Sequence, residues 1–337
     1  MATILWQSRS PVIFNSFERG ELQNAANGGN AYDYQAAKAL QKKFQVSIDK
    51  HSIKRPGELL PLYWWRMQQQ RSGADVVIME PFPLLFGKLS NKTKSVAMIH
   101  HIDEHAVKNS LSHQWFFRQL KKRLPETDLV ITVSTYWKDY LSGIGCSNVK
   151  VIYNSFDLQQ YQIAAERIAT FKNRHGFTNG LPILYIGNAS RQKGVYETYN
   201  ALKNSPYQLV MSGSENNAGD LPVKFLSLDR ENYITLLHAA DAVITMSKLI
   251  EGWNRVAHEA LLCKTPVIGS GTGGMRELLE GAGQMIVRNP VDLPAAVAKV
   301  LENRMEAGQS GYDYCSKFNT AYFEEEWNSA IENLLKQ

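Results

Sequence analysis

The chain has 337 residues, a hydrophobic fraction of 44% and a mean hydropathy of −0.30. No apolar run approaches the roughly 20 residues that span a bilayer, which excludes a membrane-spanning helix and leaves enough length for two domains. The 37 basic and 32 acidic residues give a net charge of +5, which suits anionic ligands or lipids and is too small to indicate nucleic-acid binding. The three scattered cysteines and the absence of a signal-peptide pattern predict a cytoplasmic protein.

Short apolar runs alternate with amphipathic stretches twice along the chain. In the first half we predict helices over residues 32–43 and 115–124, and strands over residues 4–6, 44–48, 75–79, 95–99, 129–133 and 149–152. In the second half we predict helices over residues 195–202, 230–239, 254–263 and 293–302, and strands over residues 183–186, 208–211, 224–226, 242–245, 267–269 and 284–287. Apolar strands separated by helices indicate parallel sheets covered on both faces. The predicted fold class is therefore α/β, with two Rossmann-like doubly wound domains.

The same pattern sets the expected domain limits. Residues 1–160 form the predicted N-terminal, acceptor-side domain, and residues 161–310 form the C-terminal, donor-binding domain. The polar stretch 159–180 reads as a linker, and the aromatic and acidic tail 311–337 reads as one helix that returns to the first domain. Because ligands of open α/β sheets bind beyond the carboxyl ends of the strands, we expect the site in a central cleft between the domains.

Two glutamates stand eight residues apart in the second half. Glu251 belongs to a glycine-led turn, and Glu259 belongs to the helix that follows it. If the stretch between them is mostly helical, a rise of about 1.5 Å per residue separates them by roughly 12 Å. This distance suits a diphosphate ligand that is held at both ends.

A phosphate site is indicated where residues 187–194 follow a strand and open a helix. Arg191 and Lys193 lie close to the free amides of that helix N-terminus, where an anion is favoured. A solvated turn with ordinary surface charges remains an alternative. Gly28 and Gly29 precede another helix and allow a backbone to approach a ligand, although a simple turn also explains them.

His100 ends a predicted strand and is followed by His101, Asp103 and Glu104. The position favours a hydrogen-bonding role toward a substrate. A metal site is the alternative, but the spacing matches no familiar zinc signature.

These motifs, taken in order, resemble the retaining glycosyltransferases of family 4, which have the two-domain GT-B architecture. The matching segments of the second half are residues 187–194, 237–243, 251–260, 265–268 and 273–277. Those of the first half are residues 28–29, 100, 133–134 and 153–157.

The resemblance implies roles for these residues in binding a nucleotide sugar. Glu259 would accept hydrogen bonds from the ribose, and Lys193 would bind the diphosphate together with the backbone at Gly28 and Gly29. His100 would lie beside the transferred sugar, near the reacting carbon. Glu251 would hold the sugar hydroxyls together with the backbone amides of Gly252, Trp253 and Asn254.

The chain departs from the family pattern at the phosphate loop. Asn188 stands where the family usually has arginine, and Arg191, three residues later, can supply that charge. Asn254 replaces a glycine, and asparagine is a good helix N-cap.

The resemblance implies a hexosyltransferase that retains the anomeric configuration and needs neither a metal nor another cofactor. The donor would be a UDP- or GDP-linked sugar, and the acceptor a glycan or lipid-linked hydroxyl in glycan, glycolipid or polysaccharide biosynthesis. The alternatives are a sugar-nucleotide epimerase or a phosphorylase on the same fold, or an inactive nucleotide-sugar binding module, which Asn188 favours.

Two segments carry the acceptor hypotheses. The helix over residues 115–124 has aromatic and apolar residues on one face and basic residues on the rest, so it either docks on anionic lipid at the inner face of a membrane or buries one face in the ordinary way. Tyr63, Trp64 and Trp65 cannot all face one core. They would line the acceptor site, stack on sugar rings or contact a membrane.

Overall fold

The computed structural model describes residues 1–22, 28–69, 73–102, 110–213 and 221–337. They divide into two compact units, one made of Met1–Ser155 with Thr320–Gln337 and the other of Phe156–Asn319. The division between the units therefore falls at residues 155/156, whereas the sequence placed it at 160/161.

The first unit contains a six-stranded parallel sheet in the order β2-β1-β3-β4-β5-β6. The strands are β1 (Thr3–Gln7), β2 (Gln45–Ile48), β3 (Val76–Met79), β4 (Lys94–Ile99), β5 (Leu129–Thr132) and β6 (Val149–Val151). The helices among the described residues are α1 (Pro11–Arg19), α2 (Gly28–Gln41), α3 (Leu60–Gln69), α4 (Pro81–Phe86), α5 (Leu111–Arg123) and α6 (Thr135–Gly143). Strands β3 and β5 are buried along their whole length, as expected for apolar strands that are covered on both faces.

The second unit contains another six-stranded parallel sheet, in the order β12-β11-β10-β7-β8-β9. Its strands are β7 (Ile183–Asn188), β8 (Gln208–Ser212), β9 (Lys224–Leu226), β10 (Ala242–Thr245), β11 (Val267–Gly269) and β12 (Met285–Ile286). Its helices are α7 (Ala165–Arg174), α8 (Val195–Leu202), α9 (Arg230–Ala239), α10 (Arg255–Leu262), α11 (Gly274–Gly281), α12 (Leu293–Glu302) and α13 (Arg304–Cys315), and α14 (Thr320–Leu335) returns to the first unit. The twelve predicted strands and their parallel arrangement are confirmed.

The stretch 159–180 is not a plain linker, because α7 lies within it. Phe171 is buried and its ring lies 4.4 Å from that of His175. Arg167 of the same helix donates a hydrogen bond to Thr235 of α9. Phe171 is the one buried residue of this helix and most of its other residues are polar, so the sequence was wrongly read as a polar linker.

The tail 311–337 is not one helix either. It contains the end of α13, which belongs to the second unit, and all of α14, which belongs to the first. Two glycines of α13 allow this helix to pack closely against the end of α10. A Cβ at Gly308 would lie 2.1 Å from the Lys264 carbonyl oxygen, and a Cβ at Gly311 would lie 2.4 Å from Leu261 Cδ2. In the first unit, Trp327 of α14 packs against Trp6 with the ring centroids 5.7 Å apart.

The second sheet grows in two opposite directions from β7, so the position between β7 and β10 is its topological switch point. The chain adds β8 and β9 on one side of β7 and then places β10 on the other side. At this point the connection after β7 contacts the connection after β10, and the Lys248 amide donates to the Gln192 carbonyl at 2.9 Å. Gly194 makes the approach possible, because a Cβ there would lie 1.9 Å from the Met246 carbonyl oxygen.

We expect Gly194→Ala to destabilise the second unit more than Gly180→Ala does. Both glycines have a left-handed φ, of 74° and 72°, but Gly180 has no atom within 4 Å of its would-be Cβ. The Gly180 variant should lose about 1 kcal/mol through backbone strain alone. The Gly194 variant should lose about 1–3 kcal/mol more, because the contacting backbone must move. Thermal unfolding of both variants measures the difference, and equal losses would contradict the contact.

Candidate functional site

An ion pair occupies the switch point of the second sheet. Lys193 lies in the turn Arg191–Lys193 after β7, and Glu251 lies in the connection after β10. The Lys193 Nζ is 2.7 Å from the Glu251 Oε1, with side-chain exposures of 38% for the lysine and 11% for the glutamate. A partly exposed pair adds about 1 kcal/mol or less to stability, so a ligand that offers either partner an equivalent contact can open it.

The backbone of Glu251 is fixed by the connection that follows β11. The Gly274 amide donates to the Glu251 carbonyl at 2.9 Å, and the Thr272 hydroxyl donates to the Leu249 carbonyl at 2.7 Å. Gly273 has φ 59° and ψ −138°, and a Cβ there would lie 2.4 Å from the Glu251 carbonyl oxygen. The Gly273-Gly274 motif therefore positions Glu251 through backbone packing.

The side chains of Trp253 and Asn254 form hydrogen bonds that fix the start of α10. The Trp253 indole N–H donates to His258 Nδ1 at 2.9 Å. Burial lowers the pKa of His258 to about 3, so the ring is neutral and its Nε2–H donates to the Cys315 carbonyl at 3.2 Å. Asn254 caps α10 with a left-handed φ of 82° and accepts from the Ala257 amide at 2.9 Å. The N-cap role expected for Asn254 is confirmed. The ligand role of the amides at Gly252, Trp253 and Asn254 stays a prediction.

Glu259 is buried in α10 and has three partners that the sequence did not reveal. Its Oε1 accepts from the Tyr161 hydroxyl at 3.1 Å and lies 2.6 Å from Arg230 Nη1, and its Oε2 accepts from the Tyr233 hydroxyl at 3.3 Å. Burial and the neighbouring Glu259 charge raise the pKa of both tyrosines, so their hydroxyls remain donors. A carboxylate has about four acceptor positions, so a ribose would use the remaining one or displace one of these partners.

In segment 187–194, which is predicted to bind phosphate, Asn188 and Arg191 have different surroundings. The Asn188 Oδ1 accepts from the Tyr185 hydroxyl at 3.0 Å and from the Ser212 hydroxyl at 3.4 Å, so this side chain joins the ends of β7 and β8. The Arg191 guanidinium lies over the Tyr196 ring, 4.4 Å from its centroid. Arg191 therefore supplies a positive charge at the start of α8 that Asn188 lacks.

In the first unit, His100 follows β4 and is held by a residue that the sequence did not single out. Its Nε2 lies 2.9 Å from the Oδ1 of Asp33, a buried residue of α2. The Tyr32 ring packs edge-on against the His100 ring with the centroids 5.0 Å apart. The sequence feature that could have indicated the Asp33–His100 contact is an aspartate on the otherwise apolar face of α2.

The remaining predicted residues of the first unit are placed as follows. Gly28 and Gly29 are the first two residues of α2. Asp103 and Glu104, which carried the metal alternative with His100 and His101, lie outside the described residues. Among the residues described, no group of three potential metal ligands is found.

Comparison with known proteins gives matches over both units. Residues 27–160 match the family model for Glycosyltransferase Family 4, and residues 168–314 match the model for Glycosyl transferases group 1. An uncharacterized glycosyltransferase of Methanocaldococcus jannaschii is 27% identical over 256 residues, which cover 70% of this chain and 67% of that protein. A second one from the same organism is 27% identical over 202 residues, covering 53% of this chain and 52% of that protein.

Two solved structures have the same fold over their whole length. Sucrose-phosphate synthase from Thermosynechococcus elongatus has a TM-score of 0.78 at 18% identity, covering 100% of both chains. HepE of Anabaena in complex with UDP has a TM-score of 0.75 at 20% identity, covering 99% of this chain and 100% of that one. Since family models match both units and the fold agrees throughout, the chain belongs to the glycosyltransferases of the GT-B fold.

Proposed function

We propose that the protein transfers a hexose from a nucleotide-diphosphate sugar to a hydroxyl acceptor with retention of the anomeric configuration, in glycan, glycolipid or polysaccharide biosynthesis. The observation that carries this proposal is the partly exposed Lys193–Glu251 pair at the switch point of the second sheet. HepE of Anabaena has been solved with UDP and with UDP-glucose, which supports a UDP-linked donor for this chain; a GDP-linked donor is the other candidate.

The proposed donor complex exchanges the ion pair for contacts with the ligand. The diphosphate takes the ammonium of Lys193, and the amides at the start of α8 add their dipole. Glu251, released from Lys193, accepts hydrogen bonds from the sugar hydroxyls. As the bond to the sugar breaks, negative charge grows on the departing diphosphate, and the fixed positive charge stabilises it.

The remaining contacts follow from the environment of each side chain. Glu259 binds the ribose through its remaining acceptor position or by displacing Arg230 or one of the tyrosines. In the first unit, Asp33 holds the His100 ring through a contact of 2.9 Å, and the role of His100 beside the transferred sugar stays a prediction. In a single displacement, retention requires the acceptor oxygen to bond to the anomeric carbon on the face that the diphosphate leaves. The proton of the acceptor hydroxyl then passes to the departing diphosphate, and we assign no protein base to this step.

We expect Lys193→Met to weaken nucleotide binding. In a thermal-shift panel of UDP, GDP, ADP, CMP and dTDP, one nucleoside diphosphate should raise the Tm of the wild type. Lys193→Met should lower the affinity for that nucleotide about tenfold or more, because it removes a charge-assisted hydrogen bond.

The matched control is Lys299→Met, which removes an exposed lysine from α12 of the same unit and should leave the affinity unchanged. The donor site would be refuted if no nucleotide raised the Tm at concentrations up to the millimolar range. It would also be refuted if Lys193→Met bound the nucleotide as tightly as the wild type does.

We also propose that the first unit contacts anionic lipid through α3 and α5. Tyr63 is buried, whereas Trp64 and Trp65 are exposed by 50% and 60%. Phe116 stacks on Phe82, and Leu120 is buried, so most of the apolar face of α5 is used within the unit. The large apolar side chains that stay exposed beside α3, in α3 and in the first half of α5 are together called the α3–α5 surface: Leu59, Leu60, Leu62, Trp64, Trp65, Leu111 and Trp115.

Two properties of the α3–α5 surface support a lipid partner. Its tryptophans are the side chains that membrane interfaces favour, and α5 ends with the basic residues Lys121, Lys122 and Arg123. In the described part of the chain, none of the helices is long and apolar enough to cross a membrane. The proposed contact is therefore peripheral.

The double variant Trp64→Ser/Trp65→Ser should bind phosphatidylglycerol vesicles at least about tenfold more weakly than the wild type, because two apolar side chains no longer leave water. Vesicle co-sedimentation measures this, with phosphatidylcholine vesicles as the neutral comparison. Tyr136→Ser, which removes an exposed aromatic residue from α6, should bind like the wild type. Equal binding of the double variant and the wild type would exclude the α3–α5 surface.

A further inference from the structure

A half-enclosed cavity of about 380 Å³ lies on one face of the first sheet. Val77 and Met79 of β3 line it from the sheet, since alternate residues of a strand point to the same face. Met67 of α3 lines it as well. Residues 87–94, which lead from the end of α4 into the first residue of β4, contribute most of the remaining wall. Neither the donor contacts proposed above nor the α3–α5 surface uses these residues.

The floor of this cavity is apolar. Met67 and Met79 are buried, and Val77 is only 9% exposed. The Gln7 side chain also lines the cavity, but its amide already donates to Asp49 Oδ2 at 3.1 Å. Methionine side chains are flexible, so such a floor adapts to the shape of an apolar ligand. The cavity volume of about 380 Å³ lies near the lower end of the roughly 300–1,000 Å³ that small-molecule sites enclose, which leaves room for one apolar chain.

The rim of the cavity is basic. Lys88, Lys92 and Lys94 line it, and none of the described lining residues is acidic. Lys94 Nζ lies 3.9 Å from Asp128 Oδ1, which takes up part of its charge. Lys88 and Lys92 are exposed, and neither forms an ion pair within the described ranges. A cleft lined by one sign of charge attracts the opposite charge, so this rim complements an anionic head group.

The connection that carries these lysines has a defined shape. At its start, the Gly87 carbonyl accepts from Arg123 Nη2 at 3.2 Å. In its middle, the Ser90 hydroxyl accepts from the Lys92 amide and the Ser90 carbonyl accepts from the Thr93 amide, both at 3.2 Å. The wall therefore exists before any ligand binds, as is usual for small-molecule sites.

We propose that this cavity binds a single-chain anionic amphiphile, such as a medium-chain fatty acid. The apolar chain lies on Met67, Val77 and Met79, and the acidic head group lies between Lys88 and Lys92. A sugar would place its hydroxyl groups on an apolar floor without hydrogen-bond partners, which is costly. A phospholipid has two chains, and the cavity has room for one. This inference does not depend on the proposed transfer reaction.

Calorimetry with the full chain tests the ligand class. The probes are decanoate, decanol and acetate, each below its micelle concentration. Decanoate should bind most tightly, because it alone combines the chain with the charge. Decanol and acetate should each bind at least about tenfold more weakly, since one lacks the charge and the other lacks the apolar surface that leaves water. Failure of decanoate to bind, or equal affinity for decanol, would overturn the proposal.

The charge of the rim is tested by Lys88→Gln/Lys92→Gln. This double variant should bind decanoate about tenfold more weakly and decanol as the wild type does, because only the ionic contacts are lost. The matched control is Lys138→Gln/Lys203→Gln, which removes two exposed lysines outside the cavity and should keep the affinity for decanoate. Equal affinity of both double variants for decanoate would overturn the role of the rim.

The floor is tested by filling the cavity. Val77→Phe should weaken the binding of both decanoate and decanol by about tenfold or more, because the phenyl ring takes the space of the chain. Leu89→Phe, at a half-buried position of the wall, makes the same test if thermal unfolding shows that Val77→Phe is not folded. Undiminished binding of decanoate by the folded variants would overturn the site.

Vesicle co-sedimentation distinguishes a free amphiphile from a membrane lipid. The cavity-filling variants should bind phosphatidylglycerol vesicles as the wild type does, since a two-chain lipid does not enter the cavity. Loss of vesicle binding together with loss of decanoate binding would assign the cavity to a membrane lipid and overturn the proposed ligand class.

Discussion

The second unit depends on the close approach of the connections that follow three neighbouring strands. Gly194 lets the connection after β7 touch Met246 of the connection after β10, and Gly273 lets the connection after β11 touch the backbone of Glu251. A side chain at either glycine would push these segments apart. Because they meet, Lys193 and Glu251 form an ion pair although they lie 58 residues apart in the sequence. The candidate donor site is therefore a consequence of backbone packing at the switch point of a parallel sheet.

The two sheets use the same topological position with different electrostatics. In the second unit the cation and the carboxylate at the switch point are paired and partly exposed. In the first unit Arg9 has no carboxylate partner among the described residues, and Glu80 is buried with its pKa raised to about 8. A paired site suits a ligand that brings both a negative diphosphate and sugar hydroxyls, because each partner gains a replacement contact.

The sheets were predictable, whereas the partners of the site residues were not. Apolar runs such as residues 242–245 and 267–269 identify buried strands because a parallel sheet is covered on both faces. The hydrogen bond between Tyr161 and Glu259 joins residues 98 positions apart, and the pair of Asp33 and His100 joins residues 67 apart. No local pattern encodes such contacts, since they arise only when strand ends converge. The loops around Glu251 were recognisable through glycines and family motifs, but their packing role was visible only in the fold.

A crystal structure of the full chain with UDP-glucose would test directly whether the Lys193–Glu251 pair forms the donor site. We expect the Lys193–Glu251 pair to open in this complex. The Lys193 ammonium should lie within hydrogen-bond distance of the diphosphate, and the Glu251 carboxylate should accept hydrogen bonds from hydroxyls of the glucose. A bound nucleotide sugar that leaves this ion pair closed, with its diphosphate away from Lys193, would contradict this expectation.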